Sequence, residues 1–82
     1  MDMPSLRHLY IQGAIDDKSM EYIAAIRQLE LLDIQDAHVT DRGLLHLKGN
    51  LKLRQLDLFN TDVTDAGIAE LQQALPDCEI VN

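Results

Sequence analysis

"VTDRGLLHL" spans Val39–Leu47 and "VTDAGIAEL" spans Val63–Leu71, two near-identical phrases 24 residues apart in a chain of 82. Self-similarity at a fixed period marks a stacked repeat, in which a short unit recurs because it cannot bury its apolar face alone. Aligning the phrases brings their upstream residues into register. "LELLDIQDAHV" (Leu29–Val39) lies over "LRQLDLFNTDV" (Leu53–Val63), each reading L-x-x-L-x-[IL]-x-x-[AT]-x-V. An earlier copy, "LRHLYIQGAI" (Leu6–Ile15) followed by "DDKSMEYI", is one residue short between strand and helix, so that Ile15 takes the place of Val39. "CEIV" (Cys78–Val81) begins a fourth copy that consists of a strand alone. The first positions Leu6, Leu29, Leu53 and Cys78 set periods of 23, 24 and 25.

The spacing within each unit predicts its structure. Leu9/Ile11, Leu32/Ile34 and Leu56/Leu58 alternate with polar residues, the period-2 pattern of a half-buried strand. Downstream the period lengthens. Met20, Ile23 and Ile26, then Leu44, Leu47 and Leu51, then Ile68, Leu71 and Leu75 recur at three and four residues and place one apolar stripe on a helix. Asp16, Thr40 and Thr64 stand just before these stripes, where a side-chain oxygen can accept from an unpaired N–H of the first turn. Asp17, Asp41 and Asp65 follow, putting negative charge at the positive end of each helix dipole. Ser19, Gly43 and Gly67 are small, which lets the first turn approach the neighbouring unit. The repeated phrase is therefore read as a corner, with a structural role.

Composition bounds the rest. Eighty-two residues make one domain at most, and 46% hydrophobic residues suffice for a core. Seven Lys and Arg against fourteen Asp and Glu give a net charge of −7, which repels phosphate backbones and anionic lipid. Neither nucleic acid nor membrane is expected as a partner. No apolar run approaches the ~18 residues of a membrane span, and "MDMPSLRHLY" lacks the order of a signal peptide. A single cysteine, Cys78, forms no internal disulfide, and no Cys/His spacing suggests zinc. The expectation is a reduced, cytoplasmic protein.

From Pro4 to Asn82 the chain resembles the leucine-rich repeat family, in its ribonuclease-inhibitor-like, cysteine-containing branch. That branch reads roughly L-x-x-L-x-L-x-x-[CNT]-x-[VI]-T-D-x-G-L-x-x-L. "LDLFNTDVTDAGIAELQQALPDCEIVN" (Leu56–Asn82) is similar to the C-terminal repeats of bacterial leucine-rich repeat proteins of planctomycete type. The resemblance implies an α/β fold: a right-handed solenoid with parallel strands on the concave face and helices on the convex one. It implies one domain over residues 1–82, with units at about 4–26, 27–50 and 51–75 and a closing strand at 76–82. In the family such arrays hold other proteins. Two departures stand out. The ninth repeat position, which ties successive turns together in relatives through Asn or Cys, holds Ala14, Ala37 and Thr61 here. The family's terminal caps are not recognisable, so the chain is expected to be a fragment of a longer protein or to meet a partner at its ends.

Strand residues facing away from the core form three ladders, His8–Leu31–Gln55, Tyr10–Asp33–Asp57 and Gln12–Gln35–Phe59, and these nine are the candidate partner-binding residues. Phe59 reads either as an interface anchor or as an incidental exposed apolar residue. Asp33 and Asp57 stand side by side, as a carboxylate pair for acid–base work or half a cation site would require. On an open surface with little desolvation and no nearby nucleophile they read better as an acidic strip that selects a basic partner. His8, His38 and His46 fall on a strand, a turn and a helix, so no metal cluster follows. Cys78 reads as buried filler in place of a leucine. Arg7, Glu30, Arg54 and Glu79 share the second strand position, where their alternating sign suggests weak surface pairing. The expectation is a non-catalytic module without cofactor or metal, binding a protein with a basic patch through its concave face. The alternative is a specificity or substrate-receptor subunit of a larger enzyme complex. The short first unit also presents an edge strand, Leu6–Ile11, where either self-association or fraying in isolation is expected.

Overall fold

A computed structural model describes residues 6–82, so the opening of the first unit at Pro4 lies outside the described residues. The alternating apolar pattern forms four strands, β1 (His8–Gln12), β2 (Leu31–Gln35), β3 (Gln55–Phe59) and β4 (Glu79–Val81). They pair in parallel and in chain order into one open sheet. Leu32, Ile34, Leu56 and Leu58 point inward and are fully buried, while their neighbours along each strand stay partly exposed. Between strands the chain forms α1 (Asp17–Ala24), α2 (Asp41–Leu44), which tightens into a 3-10 turn over Leu45–Gly49, and α3 (Asp65–Ala74). Each helix packs against the helix of the adjacent coil. The apolar stripes close the space between helices and sheet: Met20, Leu29, Val39, Leu44, Leu47, Leu53 and Leu71 have no more than 1% of their surface exposed. Burying each such side chain contributes about 1.5–3 kcal/mol. No helix among the described residues is long and apolar enough to cross a membrane.

The corners form as their sequence predicts, and they do more than cap. Asp16 accepts from the Ser19 N–H at 3.0 Å, and the Ser19 hydroxyl lies 3.4 Å from the Asp16 N–H in the return half of a capping box. Thr40 and Thr64 accept from the N–H of Arg42 and of Gly67, each at 3.3 Å. The aspartate after each cap then reaches across to the next coil. The Asp17 carboxylate accepts from the Thr40 N–H (2.7 Å) and the Thr40 hydroxyl (2.6 Å). Asp41 does the same to Thr64, at 2.7 and 2.5 Å. This seam explains the glycines. A Cβ at Gly43 would collide with Asp17, including its backbone Cα at 2.9 Å, and one at Gly67 would collide with the Asp41 carboxylate.

A second tie runs along the strand ends, where Gly13, Asp36 and Asn60 turn the chain at φ 87°, 55° and 57°. The Asp36 carboxylate accepts from the Gln12 amide of the preceding coil and the Asn60 amide of the following one, each at 2.8 Å. The tying role expected of the ninth-position residues Ala14, Ala37 and Thr61 is thus taken by Gln12, Asp36 and Asn60. Main-chain bonds complete the turns: His38 N–H donates to Ile15 at 3.1 Å, and Asp62 N–H to Val39 at 3.0 Å. Ile15 accordingly occupies the place of Val39, as the shortened first turn predicts.

Two expectations need correction. Leu51 is not part of the second apolar stripe; it is 77% exposed. The helix tightens and stops at Gly49, which brings Asn50 rather than Leu51 into the core, where its amide donates to the Ile26 carbonyl at 3.3 Å. The last period is also shorter in the sheet than the first positions indicate. Cys78 does replace a core leucine, since its N–H bonds Leu75 O as Leu53 N–H bonds Asn50 O. One residue fewer then separates it from the strand, so that Glu79 pairs with Gln55, not with Arg54, and Ile80 with Leu56.

Candidate partner-binding face

The parallel register places all three predicted ladders as adjacent Cα partners: His8–Leu31–Gln55, Tyr10–Asp33–Asp57 and Gln12–Gln35–Phe59. Neighbouring strands lie about 4.8 Å apart, which makes each ladder a continuous line of side chains. Because β4 follows a register of 24 residues from β3, Glu79 extends the first ladder and Val81 the second. Sequence reading missed both. The signal that would have found them is the alternation itself, since in "EIV" only Ile80 has the core parity that matches Leu56.

The central row therefore reads Tyr10–Asp33–Asp57–Val81, an aromatic at one end, an aliphatic at the other and two carboxylates between. Tyr10 is 61% exposed and Val81 46%. Phe59 on the adjacent row is 63% exposed, so three apolar side chains surround the carboxylates. A shallow open depression lies over Asp33, Gln35, Gln55, Asp57, Phe59 and Val81, and a second lies beside Tyr10, Gln12 and Asp33. Asp33 accepts from the Gln35 amide at 3.1 Å and Asp57 from Gln55 at 3.4 Å, in both cases a neighbour on its own strand. Among the described residues no Lys or Arg forms an ion pair with either. Two basic side chains pair elsewhere: Lys48 with Glu70 at 2.7 Å on the helical side, and Arg7 with Glu30 at a loose 3.9 Å.

Three further carboxylates are held by hydrogen bonds within the fold. Hydrogen bonds from the Asn60 and Gln12 amides hold Asp36 below the usual carboxylate range. Bonds from the Thr64 hydroxyl and N–H do the same for Asp41, and those from Ser19 for Asp16. Burial, with a smaller repulsion from Glu79, pushes the Cys78 thiol up to about 11, which leaves it protonated and unreactive at neutral pH. His38 approaches Asp62 at 3.6 Å in a fully solvated turn. Among the described residues no three His, Cys, Asp or Glu side chains converge as a metal site would need.

A family model for the leucine-rich repeat matches residues 49–71, the stretch from the end of the second coil through β3 to Leu71 on α3. This match supports the leucine-rich repeat family. No curated protein matches the chain.

Proposed function

We propose that this protein is a non-catalytic interaction module that captures a protein partner on its strand face. In this reading the coils form one right-handed solenoid of the ribonuclease-inhibitor-like type, with the sheet concave and the helices convex. Repeat arrays of this kind use such extended surfaces for binding. The observation that carries the proposal is the row Tyr10–Asp33–Asp57–Val81, with Phe59 beside it. Its carboxylates form no ion pair among the described residues, and Tyr10 and Phe59 stand exposed. Aromatic anchors around an unpaired charge suit a partner with a basic patch, since complementary charge speeds encounter and fixes register. The other ladder residues, His8, Leu31, Gln55, Gln12 and Gln35, supply the rim. The lone buried thiol of Cys78 fits a reducing, cytoplasmic setting.

Selection of a displayed random-peptide library on the immobilised protein tests this. Enrichment of Arg- or Lys-bearing peptides is expected, with capture lost in the double variant Asp57→Asn, Phe59→Ala while its circular dichroism spectrum is unchanged. Equal capture by the folded double variant would move the site off the strand face.

A further inference from the structure

The two carboxylates of the central row lie on the inner strands, β2 and β3, so this chain's own coils set their surroundings on both sides. As Cα partners on adjacent strands they repel each other, since like charges directly opposite are destabilising. Each is half-buried and is held by one glutamine amide of its own strand, which forks over both oxygens at 3.1–3.4 Å. A carboxylate offers about four acceptor sites, so both keep open capacity. One depression holds the pair together with Phe59 and Val81, and the second continues it past Asp33 to Tyr10. The result is a trough across the strands, acidic at its centre and flanked by the exposed Tyr10, Phe59 and Val81.

We infer that this trough takes an extended segment of a partner polypeptide with the pattern apolar-x-Arg-x-apolar, its arginine seated between Asp33 and Asp57. This occupant presupposes the binding role proposed for the strand face and names its chemistry. A planar guanidinium presents five donors in a fixed fork and can engage both carboxylates at once. It also stacks on an aromatic face, which Phe59 supplies in the same depression. A lysine ammonium is a compact, strongly hydrated charge that does neither as well. Spacing sets the flanks. Tyr10 and Val81 each lie one and a half strand spacings, about 7.2 Å, along the row from the midpoint of the carboxylate pair. Side chains two apart on one face of an extended chain repeat at about 6.4–6.8 Å. The four-residue repeat of a helix spans about 6 Å, and the three-residue repeat of polyproline II about 9.3 Å. The extended form fits best. A second copy of this chain is a poor occupant, because two molecules of net charge −7 repel.

The probe is the blocked pentapeptide acetyl-Leu-Ser-Arg-Ser-Leu-amide, titrated into the isotopically labelled protein. It should produce saturable amide shifts centred on Tyr10, Asp33, Asp57, Phe59 and Val81. Two control peptides of equal charge separate fork from spacing: Leu-Ser-Lys-Ser-Leu, and Ser-Leu-Arg-Leu-Ser, which turns its leucines away from the arginine's face. The lysine peptide should bind about tenfold more weakly, the loss of a hydrogen bond to a charged group. The rearranged peptide should be weakened at least as much, through lost apolar contact. Asp33→Asn and Asp57→Asn, which keep side-chain shape, and Tyr10→Ala, at an exposed position, should each weaken the arginine peptide while the unliganded spectrum keeps its dispersion. Equal binding of all three peptides on the strand face would overturn this occupant and leave the strand-face reading standing. So would an absence of shifts at millimolar peptide in a protein that still captures library peptides through Asp57 and Phe59. Shifts confined to the helical side would overturn both. Concentration-dependent shifts along the row in the protein alone would overturn the occupant by assigning the trough to a second copy.

Discussion

Asp17 and Asp41 on the helix corners and Asp33 and Asp57 on the strand face are stacked alike, one carboxylate per coil in neighbouring coils. They meet different surroundings. Each corner carboxylate receives two donors from the next coil at 2.5–2.7 Å, with a glycine making room. Each strand-face carboxylate receives only a glutamine amide from its own strand, at 3.1 Å or longer. A charge whose hydrogen-bonding capacity is filled by the fold has a structural role. One left with open capacity beside exposed aromatics is what the proposed strand-face binding would use. Identical residue types at identical period thus separate by what the adjacent coil supplies.

The sharpest way to break this contrast is to fill the corner. Gly43→Ala should destabilise the protein by about 1–3 kcal/mol in urea denaturation, because the new methyl meets the Asp17 backbone as well as its side chain. Gly67→Ala should destabilise less, because there the methyl meets only the movable Asp41 carboxylate. Equal losses would mean that the seam yields as a whole.

Next comes the seam's own hydrogen bonding. Asp41→Ala removes both bonds to Thr64 and should lower the thermal midpoint by roughly 4–8 °C at neutral pH. The same variant should flatten the acid dependence. Asp16, Asp36 and Asp41 all titrate below their unfolded range near 3.9, so their stabilisation is present above that pH. It drains as the pH falls through their lower folded values. Melting curves from pH 6 down to 2 should therefore converge for Asp41→Ala and the parent at the acid end. A constant offset would assign the loss to packing alone.

On the strand face the effect on folding should be small. Asp33→Asn or Asp57→Asn should leave stability within about 0.5 kcal/mol of the parent, while peptide capture falls. A large stability loss from either would place these carboxylates with the corner set. Smallest of all, Leu51→Ser should be nearly silent, since the side chain is in solvent.

The repeat made most of this legible in advance: the strands, the caps, the small corner residues and all three ladders follow from period and parity. What escaped depends on contacts between units, which a single unit's pattern does not encode. Asp17 and Asp41 read as dipole partners because their donors lie 23 residues away. Asp36 read as an unremarked turn residue, although it bonds two neighbouring coils. Asn50 and Leu51 exchanged places because a 3-10 turn advances the chain differently from the 3.6-residue helix that the stripe assumed. Val81 was missed because one residue is absent between Cys78 and β4, and a one-residue slip reverses which side chains face inward.

The division of the corner between coils bears on how such a gene changes length. Excising Asp41–Thr64, one full period, would join Thr40 to Asp65: Asp17 would still meet a threonine, and the retained helix would still begin with an aspartate and carry Gly67. Copying the same segment in tandem would add a coil with both halves of its junction present. Whole-period indels are thus neutral to the seam, whereas a single-codon indel inside β3 would turn Leu56 or Leu58 into solvent. The single-residue differences that the chain does carry lie at Gly13–Ile15 and beside Cys78, outside the strands, where the connecting turns absorb them.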